Sequence, residues 1–122
     1  MRNRERPKIL CVLHSPSNRN SLPGVLRSAR YEVISAFTAD QAVAFCINHV
    51  AAAVVLDSEF FSERGWSVLQ TFKSLCPKVP ILLFVEDHQF GTLPQNVDAI
   101  ANTAEMMLVE LRRFFDRVTR QN

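Results

Sequence analysis

A single carboxylate at the end of an apolar run is the clearest chemical feature of this chain: Asp57 follows Ala53-Val54-Val55-Leu56. Such a group can act as a nucleophile, bind a hard metal ion, or cap a turn where the chain leaves a strand. Few residues could join it. Leu13 and His14 close a second apolar run, Val85, Glu86 and Asp87 close a third, Asn102 and Thr103 precede the last helical segment, and Glu59 lies just after Asp57. Asp57-Ser58-Glu59 would suit a small aspartate-nucleophile hydrolase. That chemistry needs a second carboxylate as acid or base and a metal or lysine to hold phosphate, and neither support is apparent, so no enzyme is expected. The Ser15 to Ser21 stretch could cradle a flavin phosphate only if glycines let its N–H groups converge, and it has none. His14, Asp57 and Glu86 are a conceivable zinc or manganese set, but the simpler reading makes His14 a polar lid hydrogen-bonded to Asp57. No metal site is therefore expected. His49 and His88 show no partner pattern, and Trp66 is expected to pack at the start of the third helix.

These residues need a frame, and the chain offers one in short apolar runs alternating with segments of helical period. Lys8 to Leu13, Glu32 to Ala36, Ala53 to Leu56, Ile81 to Val85 and a short segment around Asp98 to Ala101 read as five strands. The first helix is irregular, because Pro23 and Gly24 interrupt it; it either starts near Ser21 or is longer and kinked. Thr38 and Gln41 form a capping box for a second helix from about Ala39 to Asn48, and Asn102 with Glu105 offers another for a last helix from about Ala104 to Val118. Val68, Leu69, Phe72 and Leu75 share a helical face that stops before Pro77. Strands joined by crossovers of helical length predict a doubly wound five-stranded parallel sheet, an α/β three-layer sandwich of the flavodoxin-like kind. Ligands of such sheets gather at the carboxyl ends of the strands, which is where Leu13, His14, Asp57, Val85, Glu86, Asn102 and Thr103 fall.

The composition agrees with one domain over residues 1–122 with a core of about 8–118. Hydrophobic residues make 48% and charged residues 21% of the 122, enough for a core without disulfides or metals. A net charge of +2 with arginines clustered at the two ends reads as solvated surface and does not call for nucleic acid. The longest apolar runs are far too short to span a membrane, and no leader pattern is visible, so a cytoplasmic protein is expected. Cys11, Cys46 and Cys76 are widely spaced among apolar neighbours and read as core thiols.

From Lys8 to about Phe115 the chain resembles the response-regulator receiver family. The resemblance is carried by Tyr31-Glu32-Val33, by Val54-Val55-Leu56-Asp57, by Gly65 eight positions later and by Pro80-Ile81-Leu82-Leu83, in that order. It implies a phosphorelay module whose central aspartate, here Asp57, receives a phosphoryl group from a histidine kinase with a bound magnesium ion. The chain departs from the family at the positions that support this chemistry. Leu13 and His14 stand where two magnesium-binding acids are usual, Val85 where a hydroxyl is usual, and Thr103 where a lysine pairs with phosphate. Leucine and imidazole are poor ligands for magnesium, which wants hard oxygens in octahedral array. An acyl phosphate without cationic compensation would be unfavourable by several kcal/mol.

The expectation is a degenerate, or pseudo-receiver, signalling module of the two-component type, acting through protein partners without a cofactor, magnesium binding being doubtful. The alternative is a phosphorylatable regulator whose acids are rebuilt from Glu59, Glu86 or Asp87. Between Glu86 and Gln95, glycine and proline leave no room for a normal helix, so the fourth helix should be short or missing. The last helix carries Met107, Leu108, Leu111, Phe114, Phe115 and Val118, more apolar positions than one packing face needs. A homodimer through that surface is the expected consequence.

Overall fold

The computed structural model describes residues 6–57, 66–85 and 96–121. In chain order the elements are β1 (Lys8–Val12), α1 (Pro16–Ser28), β2 (Glu32–Ala36), α2 (Ala39–Asn48), β3 (Ala53–Asp57), α3 (Trp66–Leu75), β4 (Ile81–Phe84), β5 (Ala99–Ala101) and α4 (Ala104–Gln121). All strand pairs are parallel, in the order β2-β1-β3-β4-β5. The chain therefore winds outward in both directions from β1, as the alternation of apolar runs predicts. The expectation that the fourth crossover holds a short helix or none falls on residues 86–95, which lie outside the described residues, as do Glu59 and its neighbours at 58–65.

Side-chain alternation sorts the sheet into two cores. Ile9 and Cys11 of β1, Ala53 and Val55 of β3, and Leu82 and Phe84 of β4 face Leu22 and Leu26 of α1 and Met107, Leu111 and Phe114 of α4. Their neighbours Leu10, Val12, Val54, Leu56, Ile81 and Leu83 face Ala42 and Cys46 of α2 and Leu69 and Phe72 of α3. Because both faces are covered, β3 and β4 are buried at every position, which is why they read as continuous apolar runs. Tyr31 packs its ring on Phe115 at 5.6 Å and ties the start of β2 to α4. At the opposite end of the sheet from Asp57, Asp98 Oδ2 accepts from Ile81 N at 2.8 Å and from Lys73 Nζ at 3.2 Å, fastening β4 to α3.

Several boundaries move. β1 stops at Val12 and β4 at Phe84, one residue short of expectation. The longer of the two alternatives for α1 holds: it begins at Pro16, a proline suited to the first helical position because its missing N–H would be unpaired there. Pro23 lies inside this helix and is buried among its apolar residues. The Thr38 hydroxyl accepts from Gln41 N at 3.1 Å as predicted, but the Gln41 amide takes the N–H of Phe37 at 2.8 Å, one residue before the cap. At α4 the cap is Thr103, whose Oγ1 accepts from Met106 N at 3.0 Å; Asn102 is one residue too early. His49 does have a partner: its ring stacks on Phe45 at 4.9 Å at the end of α2. On α4, Met107, Leu111 and Phe114 are buried and Leu108 and Phe115 are partly so, leaving Met106 and Val109 as the exposed large apolar residues among its described side chains. No helix among the described residues is long and apolar enough to cross a membrane.

The end of α1 carries a local strain that its sequence hides. Arg30 N donates to Arg27 O and Tyr31 N to Leu26 O, the paired bonds of a helix stop that needs a left-handed residue, and Arg30 adopts it with φ of 74°. Glycine is the usual occupant, since a Cβ is disfavoured there by roughly 1–2 kcal/mol. Arg30→Gly is expected to raise stability by about 0.5–1 kcal/mol in urea denaturation, with the slope unchanged, the gain being trimmed by glycine's greater freedom in the unfolded chain.

Candidate functional site

The strand order reverses between β1 and β3, and the carboxyl ends of these two strands are the ordinary place for a site in such a sheet. Asp57 is the last residue of β3, opposite Phe84 of β4, and only 1% of its surface is exposed. A carboxylate removed from water needs donors, and the turn from β1 into α1, with the first turn of that helix, supplies them. Asp57 Oδ2 accepts from His14 N at 2.8 Å, from Ser15 N at 2.8 Å and, more weakly, from Asn18 Nδ2 at 3.4 Å. Ser15 is the capping residue of α1, yet its side chain makes no cap bond and lies instead 3.3 Å from the Ser17 hydroxyl. The first turn of α1 contains no acid of its own. Asp57 thus provides, from the neighbouring strand, the negative charge that the positive end of a helix favours.

The other rim positions serve structure. Leu13 is buried in the core between the sheet and α1 and α4, and Val85 in the opposite core. Thr103 caps α4. His14 reaches Asp57 through its backbone N–H while its side chain is exposed, which corrects the expectation of an imidazole lid. Glu86 and Asp87, like Glu59, lie outside the described residues. His14, Asp57 and Glu86 are thus not seen together, and among the described residues no group of three His, Cys, Asp or Glu side chains could hold a metal ion.

Three residues at this rim were not singled out from the sequence. Ser15 and Asn18 lie in the Ser15 to Ser21 stretch, where Ser15-Pro16, a cap followed by a first-turn proline, is the signal that marks the helix start. Arg19 carried no signal at all. Its Nε donates to the Leu13 carbonyl at 3.1 Å and its guanidinium lies 4.9 Å from the centre of the Phe37 ring. The end of β1 therefore presents an apolar side chain, a carbonyl already taken and a fixed positive charge. These residues do not fit magnesium, which needs several hard oxygen donors and gains nothing beside a guanidinium.

No family model matches the chain, and no curated protein matches it. Crystal structures do resemble it. A CheY-like response-regulator receiver domain protein from Methanospirillum hungatei is 19% identical with a TM-score of 0.80, covering 97% of this chain and 100% of its own. The receiver domain of a sensor histidine kinase from Pseudomonas aeruginosa, described with a magnesium ion coordinated in its active-site cleft, is 20% identical with a TM-score of 0.78, over 89% of this chain and 97% of its own. A response regulator from Thermotoga maritima, in complex with magnesium and BeF, is 18% identical with a TM-score of 0.76, over 88% and 98%. The chain has the fold of response-regulator receiver domains, as its resemblance to that family implied.

If Asp57 serves chiefly as an acceptor for the β1–α1 turn, removing it must leave His14 N and Ser15 N unpaired in a dry site. Asp57→Ala is expected to cost roughly 2–4 kcal/mol in chemical denaturation, and Asp57→Asn, which keeps one oxygen, less than half of that. Faster amide exchange at residues 14 and 15 should accompany the loss in the alanine variant.

Proposed function

We propose that this chain is a receiver-fold signalling module that works by protein–protein contact, with Asp57 committed to holding the β1–α1 turn and not to magnesium-dependent phosphoryl transfer. The observation that carries this reading is the pair of backbone hydrogen bonds from His14 and Ser15 to Asp57 Oδ2. A phosphoryl acceptor must present a carboxylate oxygen to an incoming phosphorus with a cation to neutralise the transferred charge. Here one oxygen is engaged by α1, and the positions that would supply the cation's ligands hold a buried leucine and an exposed histidine. The fold supplies the scaffold in this proposal, and recognition lies on its surface.

That surface we assign to α4. Met106 and Val109, 43% and 56% exposed, are three positions apart and so share one side of the helix. A second copy of the chain is the simplest partner, since a two-fold contact needs only one such face.

Two measurements test the proposal. Incubation with acetyl phosphate and magnesium, followed by intact-mass analysis, is expected to yield no phosphoryl adduct; an adduct that disappears in Asp57→Asn would overturn the reading. Sedimentation velocity over a concentration series should show self-association that Val109→Asp abolishes, with stability altered by no more than about 0.5 kcal/mol, as for other exposed positions.

A further inference from the structure

The three cysteines occupy unlike places. Cys11 lies in β1, buried on the face covered by α1 and α4, and burial pushes its thiol up to about 12. Cys46 near the end of α2 and Cys76 just beyond α3 are thirty positions apart in sequence, yet both line one small apolar cavity with Val54, Phe72 and Ile81. There burial, with the Cys76 side chain beside it, pushes the Cys46 thiol up to about 11. Cys46 is buried while Cys76 is partly open to solvent. One thiol is thus partly accessible, and the second lines the same cavity among side chains that offer no competing nucleophile.

We propose that Cys46 and Cys76 are a redox site, closing into a reversible disulfide that joins α2 to the turn between α3 and β4 when the protein meets a hydroperoxide. The accessible Cys76 sulfur attacks one peroxide oxygen, the O–O bond breaks, and Cys76 becomes a sulfenic acid as the other oxygen leaves as water or alcohol. The Cys46 sulfur then attacks Cys76, the S–O bond breaks, and the oxygen departs as water with the proton from Cys46. The two thiols together lose two electrons and two protons, and the peroxide takes up both. Its burial and its raised value make Cys46 a poor first target for the peroxide. A dithiol reverses the bond by exchange. Exposed Ile47 and Leu75 adjoin the two cysteines, so the clasp would fix the spacing of apolar residues on the α2–α3 surface.

The test treats the full chain with hydrogen peroxide, counts thiols after unfolding and maps peptides without reduction. The count is expected to fall from three to one, with a peptide linking Cys46 to Cys76, Cys11 unchanged, and a melting temperature raised on the order of 5–10 °C until dithiothreitol is added. Cys76→Ser, a change at a partly exposed position, should abolish both the link and the rise, whereas Cys11→Ala should retain them. Cys76 advancing to a sulfinic acid without a link, links only between chains, or no oxidation at all would each overturn the proposal.

Discussion

Two backbone N–H groups just before α1 meet one oxygen of an almost wholly buried carboxylate at the end of β3, and the central part of the molecule is arranged around that meeting. β1 and β3 are already paired through their ladder, with Leu10 opposite Val54 and Val12 opposite Leu56. The ladder stops where the carboxylate begins. Beyond it, Asp57 continues the connection by other means, holding the turn that sends the chain from β1 into α1. A neutral side chain of the same size would meet the same N–H groups with less attraction, because bonds to a charged acceptor are roughly twice as strong as those between neutral partners. The helix so anchored covers one face of the sheet together with α4, so this polar contact also sets where Leu22 and Leu26 enter the core.

Much of this was legible beforehand. Strands buried on both faces must be apolar throughout, so β3 and β4 announced themselves, and the Thr38 cap followed from residue type and spacing alone. Asp57 could be placed at the rim because the run before it ends there. Its partners could not be named, since backbone N–H groups belong to every residue but proline and leave no mark on the sequence. The stop of α1 was hidden for the opposite reason: Arg30 sits where a glycine would have signalled the left-handed turn. Asn102 and Thr103 are both good caps, and only the geometry of the β5 exit selects the second. Cys46 and Cys76 looked like isolated core thiols because their proximity depends on how α2 and α3 pack, which no local pattern encodes.

The polar rim and the apolar cores also answer to different rules. In the cores, shape and volume decide, and many apolar residues would serve at a position such as Val55 or Leu82 provided the volume is kept. At the rim each group has few substitutes. The Leu13 carbonyl is held by Arg19, whose guanidinium in turn lies over Phe37 at the exit of β2, so the carboxyl ends of β1 and β2 are linked by one extended side chain. Arginine suits this role because its planar head can donate a hydrogen bond and lie against a ring at once, and lysine would do neither in the same way.

Leu13 limits which substitutions the rim can accept. Its side chain is 2% exposed and packs with the core shared by α1 and α4. An aspartate introduced there would be an unpaired charge in a place built for a hydrocarbon, at a cost of several kcal/mol against a net stability that in proteins of this kind is about 5–15 kcal/mol. A single acid placed at this strand end would thus loosen the core before any metal could repay the loss. The packing around Leu13 makes the rim a mutational barrier, in which a hydrocarbon set behind the strand end resists any isolated charge.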